Sequence, residues 1–156
     1  MTTTVAPGLV RDVLAAVSAA DTCDFGAARV GIDVVSVAWF ARTLETTGGR
    51  AMALAAFTEA ERHYCSGRPD RFAVRWAAKE AVAKAIGTGF RGLRAGDIEV
   101  LHHPDGRPAL APAPGSTWPH EAHTWQWSLS LCHEGDAAVA LAVALVPRPR
   151  PVLSAP

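Results

Sequence analysis

The chain has 156 residues, of which 49% are hydrophobic and 19% are charged, so it is long and apolar enough to form one compact domain with a substantial core. Its formal net charge is zero, which gives no long-range attraction to nucleic acid or to a membrane surface, and we expect neither as a partner. The longest apolar run, 137–146, is too short to span a bilayer.

The first 28 residues are rich in alanine, with a predicted short helix over 9–20, and we interpret 1–28 as an N-terminal extension. This segment lacks a basic stretch followed by an apolar one, so we expect no secretion signal. The three cysteines, Cys23, Cys65 and Cys132, match no metal-ligand spacing. We expect reduced thiols in a cytoplasmic protein.

Residues 30–37 are rich in β-branched side chains, which predicts a strand. One face is predicted to carry Val30, Ile32, Val34 and Ser36. Asp33 lies on the other face, where a carboxylate is costly to bury without a positive partner. Two interpretations remain open for Asp33: an ion-paired acid, and a metal ligand that another group approaches across Gly31.

Two short helices are predicted next. Residues 38–46 favour a helix that ends at Gly48-Gly49. Thr58 and Glu61 form the pattern of a capping box, in which a hydroxyl and a carboxylate satisfy backbone amides at a helix start. The helix that they begin runs to Cys65, and the capping box gives both residues a structural role that needs no catalysis.

The segment 71–86 predicts a long central helix, because it is dense in alanine and glycine follows it. At 3.6 residues per turn, Trp76, Glu80 and Lys84 share one face. Alone, this pattern indicates a solvated helix with one Glu–Lys pair, worth about 0.2–0.5 kcal/mol. The Gly-Thr-Gly turn at 87–89 could offer backbone N–H groups to an anion.

Strands dominate the rest of the chain. Residues 98–101 and 108–110 predict a hairpin around a Pro-Asp-Gly turn, with the adjacent His102 and His103 on opposite faces as surface residues. The proline-rich segment 111–119 predicts a loop. Two further strands are expected, an alternating one at 124–132 and one at 137–146 that is buried on both faces. Together the elements predict an α+β fold, with an antiparallel sheet packed against a long central helix.

Four separated segments resemble the acyl carrier protein synthase family, the short type of 4′-phosphopantetheinyl transferase. They are Val-Gly-Ile-Asp-Val-Val at 30–35, Phe-Thr-Glu-Ala-Glu at 57–61, the run from Arg75 to Gly89 with its Lys-Glu-Ala-x-x-Lys-Ala-x-Gly-Thr-Gly pattern, and Ser-Leu-Cys-His at 130–133. The resemblance covers about 29–146, which we take as one domain followed by a flexible tail, 147–156.

The resemblance implies an enzyme that transfers 4′-phosphopantetheine from coenzyme A to a serine of an apo acyl carrier protein and releases 3′,5′-ADP, for fatty acid or polyketide biosynthesis. It also implies a homotrimer with active sites between protomers. By position, it implies a Mg²⁺ ion held by Asp33 and Glu80, catalytic roles for Glu80 and Lys84, and coenzyme A contacts from Arg75, Lys84, Thr88 and His133.

Two departures from the family pattern bear on partner choice. Ser36 stands where the family commonly has Glu, and Trp39 stands where it commonly has a basic residue that meets the acidic carrier. These departures predict an unusual carrier preference. Two alternatives remain: a non-catalytic protein that binds coenzyme A or a carrier on the same fold, and a metal-dependent phosphohydrolase that uses two carboxylates and a lysine.

Overall fold

A computed structural model describes residues 25–148; the predicted helix over 9–20 and residues 149–156 lie outside this range. The helices are α1 (Val37–Glu45), α2 (Thr47–Ala56), α3 (Glu59–Cys65) and α4 (Pro69–Ile86). The strands are β1 (Phe25–Ser36), β2 (Ile98–His102), β3 (Pro108–Pro112), β4 (Gln126–Glu134) and β5 (Ala137–Pro147). Short 3₁₀ turns span Ala95–Asp97 and His120–Thr124. No helix within 25–148 is long and apolar enough to cross a membrane.

The strands form two antiparallel sheets. The larger has the order β1-β5-β4, and β2 pairs with β3 in a hairpin. Helix α4 contacts β1, β5 and β4, so the long helix lies across one face of the larger sheet. This arrangement confirms the predicted α+β fold and the predicted hairpin. Strand β1 begins at Phe25, five residues earlier than predicted, because its register with β5 continues to Pro147.

The two faces of the larger sheet differ sharply in burial. The face of β5 toward α4 is built from alanines, all fully buried: Ala138, Ala140, Ala142 and Ala144. The opposite face of β5 is only partly buried, so the prediction that this strand is buried on both faces is wrong. On the same outer face of β1, Val30, Ile32 and Val34 are each 57–61% exposed. The domain thus presents an apolar sheet face to solvent.

Helix α2 was not predicted, because Gly48-Gly49 resembles a helix terminator. In the structure both glycines lie in the first turn of α2, and the Thr46 side chain caps it by accepting a hydrogen bond from the Gly49 amide at 2.9 Å. A β-carbon at Gly49 would lie 1.8 Å from the Thr43 carbonyl oxygen of α1. The glycine therefore permits the close turn between α1 and α2.

A buried ion pair links α3 to α4. Lys79 Nζ donates to Glu61 Oε2 at 2.7 Å, and both side chains are completely buried. The ammonium also donates to the carbonyl oxygens of Ala95 and Ile98, and Glu61 Oε1 accepts from the Val100 amide at 3.0 Å. The other Glu61 oxygen completes the predicted capping box with Thr58, so Glu61 also joins β2 to the helices.

Replacing Lys79 by methionine is expected to lower the free energy of unfolding by about 3–5 kcal/mol, because Glu61 is then a buried carboxylate without its cation. Urea unfolding followed by circular dichroism measures this change. The double variant Lys79→Met/Glu61→Gln is the matched control, and it should cost less than Lys79→Met because no buried charge remains. A loss under 1 kcal/mol in Lys79→Met would show that the pair does not hold α4 in place.

Asp97 stabilises the domain through hydrogen bonds that are lost in acid. Its buried carboxylate accepts hydrogen bonds from Arg94 and Thr117, and chiefly the Arg94 bond lowers its pKa to about 2. Since the folded-state pKa lies below the unfolded value, this stabilisation is present above pH 4 and is lost as the pH falls toward 2.

Asp97→Asn should therefore lose at most about 2 kcal/mol at pH 7 and show a flatter dependence of stability on pH between 4 and 2. Urea unfolding across this pH range measures both effects. The exposed Asp105, which pairs with Arg107 at the hairpin turn, is the matched control, and Asp105→Asn should leave the pH dependence of stability close to that of the parent. Parallel pH curves for Asp97→Asn and the parent would contradict the assignment.

Candidate active site

Asp33 of β1 and Lys84 of α4 form the centre of the candidate active site. Lys84 Nζ donates to Asp33 Oδ1 at 2.7 Å and to the Ile32 carbonyl oxygen at 3.1 Å. The Asp33 side chain is 17% exposed and that of Lys84 is 49% exposed, so the carboxylate is sheltered and the ammonium faces solvent. Asp33 is therefore an ion-paired acid here, which was one of its two predicted roles.

Gly31 brings β1 into backbone contact with α4. A β-carbon at Gly31 would lie 1.9 Å from the Ala81 carbonyl oxygen and 2.8 Å from the Ala85 amide nitrogen, so no other residue fits without moving the helix. The group predicted to approach across this glycine is thus the helix backbone itself. This contact sets the Asp33 side chain beside the solvent-facing side of α4.

Glu80 completes the cluster from the helix. Within 72–86, only Trp76, Glu80 and Lys84 are not buried, which confirms the predicted shared face. The pKa of Glu80 is raised above its usual value, first by partial burial and then by the negative charge of Asp33, while the Lys84 ammonium opposes the shift. The two carboxylates are thus close enough to repel each other.

Asp33 and Glu80 fit a hard divalent cation. Carboxylate oxygens are the donors that Mg²⁺ prefers, and it is commonly held by one or two protein carboxylates, with water and substrate phosphates completing its shell. A bound cation would also relieve the repulsion that raises the Glu80 pKa. In residues 25–148 no group of three or more His, Cys, Asp or Glu side chains could hold a metal by itself, so other ligands would have to come from solvent or substrate.

Arg75 and His133 lie in a second cluster, around a cavity of about 290 Å³. The basic side chains in its lining are Arg68, Arg71, Arg75, His102 and His133. Arg75 is almost fully buried, with its guanidinium carbon 4.0 Å from the centre of the Tyr64 ring. His133 is half exposed, and its Nε2 lies 3.8 Å from the carboxylate of Asp70. The excess of basic groups suits an anion such as a phosphate.

His102 belongs to this cavity, so its prediction as a surface residue is wrong. Its ring stacks on Tyr64 with centroids 4.6 Å apart, and its Nδ1 lies 3.1 Å from Arg75 Nη2. Because a guanidinium can only donate, Nδ1 is the acceptor. Burial, followed by the charges of Arg75 and Arg71, lowers the pKa of His102, which favours this neutral ring. The sequence contained a signal for this position of His102, because the alternation of side chains along a strand places it on the same inward face of β2 as Ile98 and Val100.

Thr88 lies in the turn that ends α4, four positions after Lys84, and does not line the basic cavity. Gly87 and Gly89 adopt positive φ angles of 94° and 57°, and their amides both donate to the Ala83 carbonyl oxygen at 3.2 Å. These two N–H groups are therefore used to close the helix. Of the backbone N–H groups in this turn, those of the two glycines are thus not available to an anion, while Thr88 is exposed.

Within the described chain the predicted residues thus form two groups on different sides of α4. Asp33, Glu80 and Lys84 are brought together, whereas Arg75 and His133 line the separate cavity. Arg75 and Glu80 are five positions apart, which places them about 140° apart around the helix axis. The three residues of the carboxylate cluster are therefore not part of the cavity lining in the described chain.

The sequence profile of the 4′-phosphopantetheinyl transferase superfamily matches residues 29–144. The holo-(acyl-carrier-protein) synthase of Desulforudis audaxviator is 44% identical over 123 residues, which cover 76% of this chain and 92% of that protein. The crystal structure of the synthase from Neisseria meningitidis has a TM-score of 0.66 and 34% identity, and the match covers 74% of this chain and 96% of that one. A synthase–CoA complex from Chronobacterium ammoniagenes has a TM-score of 0.67 and 30% identity, covering 79% and 100%.

Gly31→Ala is expected to destabilise the domain by about 3 kcal/mol and to lower any activity that depends on Asp33, because the added methyl group overlaps the α4 backbone. Thermal and urea unfolding measure the first effect. Gly48→Ala is the matched control, since a β-carbon there meets nothing within 4 Å and alanine favours a helix. Equal stability of the two variants would contradict the close contact at Gly31.

Proposed function

Because the chain belongs to the 4′-phosphopantetheinyl transferase superfamily, we propose that it is a holo-(acyl-carrier-protein) synthase. The reaction would transfer 4′-phosphopantetheine from coenzyme A to a serine of an apo acyl carrier protein. In this step the serine oxygen bonds to the phosphorus that carries pantetheine, the bond from this phosphorus to the ADP oxygen breaks, and 3′,5′-ADP leaves. The name of the Desulforudis audaxviator relative and the CoA complex of the structural neighbour support this assignment.

The observation that carries the proposal is the cluster of Asp33, Glu80 and Lys84. A protein that only bound coenzyme A would need neither two mutually repelling carboxylates nor an exposed ammonium beside them. Asp33 and Glu80 are the residues that would hold Mg²⁺. When bound, the ion would neutralise negative charge that develops on the transferring and leaving phosphates.

The chain's own groups would divide the remaining work. Serine is a weak nucleophile at neutral pH, so a base must take its proton, and the Glu80 carboxylate is the candidate. The Lys84 ammonium would stabilise charge on the leaving 3′,5′-ADP phosphate. Arg75 and His133, in the basic cavity, would bind the anionic part of coenzyme A, and Thr88 would contact the same substrate from its turn.

We also propose a homotrimer, which two features of the chain support. The outer face of β1 and β5 leaves Val30, Ile32 and Val34 exposed, an apolar patch that a second copy would cover. The carboxylate cluster and the basic cavity lie on different sides of α4, so neighbouring copies could each supply one half of a site. We therefore place coenzyme A between protomers, with Asp33 from one copy facing Arg75 of the next.

The carrier would dock beside this site, and α1 carries the departures that concern it. Trp39 is 46% exposed on α1, and Arg42 lies one turn later. An exposed tryptophan favours a partner with an apolar contact surface over a purely acidic one. We infer that the natural carrier belongs to a biosynthetic pathway other than fatty acid synthesis.

We also propose that the reaction takes place in the cytoplasm, which suits the free thiols of Cys65 and Cys132.

Intact-mass spectrometry of a purified apo carrier, incubated with the protein, coenzyme A and Mg²⁺, tests the proposed function. We expect a mass gain of one phosphopantetheine, and no gain with EDTA. Offering a fatty-acid carrier and a polyketide carrier in parallel tests the preference, and faster use of the fatty-acid carrier would contradict it. Free phosphate without a mass gain would indicate a phosphohydrolase, and coenzyme A binding without turnover would indicate the non-catalytic protein.

In the same assay, Asp33→Asn and Glu80→Gln should each lower the transfer rate by about 10²–10³-fold, because each removes a carboxylate beside the transferring phosphate. Glu121→Gln, at an exposed carboxylate in the 3₁₀ turn His120–Thr124, is the matched control and should retain the parental rate. Far-ultraviolet circular dichroism checks that all three variants fold. Unchanged turnover in either active-site variant would overturn the metal assignment.

Ile32→Glu should convert the trimer into a monomer, because the new carboxylate would be buried between copies without a partner. Size-exclusion chromatography with light scattering measures the mass. Leu54→Glu is the matched control, since Leu54 is 65% exposed on α2, away from the sheet. A monomeric parent protein, or a trimer that survives Ile32→Glu, would contradict the proposed interface.

A further inference from the structure

Lysine is used sparingly in this chain. The sequence contains two lysines, Lys79 and Lys84, against thirteen arginines. Lys79 is fully buried in its ion pair with Glu61, whereas Lys84 is half exposed beside Asp33. Lys84 is therefore the chain's one solvent-accessible lysine, and it lies at the proposed active site. A flexible ammonium at this position, in a chain that otherwise uses arginine, needs an explanation.

The contacts of Lys84 show what it does in this state. Its ammonium donates to Asp33 Oδ1 at 2.7 Å and to the carbonyl oxygen of Ile32 at 3.1 Å. Asp33 Oδ1 is one of the oxygens available to a divalent cation at this cluster. The lysine thus serves as the counter-ion of the carboxylate pair, and its charge opposes the effect of Asp33 on the Glu80 pKa.

Charge counting indicates what a divalent cation would change. With Asp33 and Glu80 ionised and Lys84 protonated, the cluster carries a net charge of −1 by formal count. Adding a divalent cation makes the cluster +1, and the ammonium then meets a like charge across Asp33. Repulsion therefore favours departure of the Lys84 ammonium from Asp33, and the same positive charge makes the cluster attractive to a phosphate.

We propose that Lys84 is an exchangeable counter-ion: a divalent cation displaces its ammonium from Asp33, and the freed ammonium turns toward the substrate phosphates. This inference rests on the proposed function, because it takes Asp33 and Glu80 as the residues that hold the cation. The exchange couples cation binding to the release of the Lys84 ammonium. The site therefore gains its phosphate-binding charge only after the metal has bound. Between turnovers, when the cation is absent, the Lys84 ammonium again serves as the counter-ion of the carboxylate pair.

The exchange costs little because the lysine side of the ion pair is half exposed. Exposed pairs of this kind contribute little, so breaking this one should weaken cation binding by about fivefold at most. The long lysine side chain also allows the ammonium to move several ångströms without moving α4. An arginine would bind the carboxylate more rigidly through two nitrogens and would be harder to displace.

Nuclear magnetic resonance of protein labelled with ¹³C and ¹⁵N only in lysine tests the proposal, since just two side chains give signals. Addition of Mg²⁺ without coenzyme A should shift the Lys84 Cε–Hε signal and narrow it, while the buried Lys79 signal stays fixed. Asp33→Asn without metal should already give the shifted Lys84 signal. Asp70→Asn, in the basic cavity, is the matched control and should leave both signals in their parental positions.

Isothermal titration calorimetry of the same samples with Mn²⁺ separates the possible failures. We expect Lys84→Met to bind Mn²⁺ up to about fivefold more tightly than the parent, because the competing ammonium is gone. A parent that binds Mn²⁺ with an unmoved Lys84 signal would overturn the exchange and leave the transferase assignment intact. A parent that binds no cation would overturn both the exchange and the metal assignment, and the carrier mass assay then decides the activity independently.

Discussion

The backbone contact between β1 and α4 at Gly31 is the constraint on which the site depends. A strand and a helix normally meet through side chains, but here the Ala81 carbonyl oxygen occupies the space where a β-carbon would lie. The fully buried alanines on the neighbouring β5 extend the same close approach across the sheet. Because the helix lies so near, Asp33 is close enough to form an ion pair with Lys84 and to perturb Glu80.

The adjacent residues Lys79 and Glu80 of α4 have different roles: Lys79 is structural and Glu80 belongs to the candidate active site. They are about 100° apart around the helix, so Lys79 points into the core and meets Glu61, while Glu80 is left on the partly exposed face. The buried pair fixes the helix against α3 and β2, and the same helix then presents its functional face to Asp33. A well-anchored helix is the kind of element on which a precise site can be built.

The sequence predicted local patterns well and missed features that depend on distant partners. The face of Trp76, Glu80 and Lys84 and the capping box of Glu61 follow from spacing alone, and both are present. The second role of Glu61 required knowing where Lys79 lies in three dimensions. The exposure of Ile32 could not be predicted, because a β-branched strand in isolation does not show which face meets the helix and which faces solvent.

Complementation between two inactive variants tests most directly whether the carboxylate cluster and the basic cavity form one site shared between copies. Asp33→Asn lacks a carboxylate, and His133→Glu places a negative charge in the cavity; each alone should be inactive in carrier modification. If sites lie between protomers, an equal mixture of the two variants should recover about a quarter of the parental activity once they have exchanged subunits. About a quarter of the sites then receive both intact halves. A mixture that stays inactive after mass spectrometry has confirmed mixed oligomers would contradict the shared site.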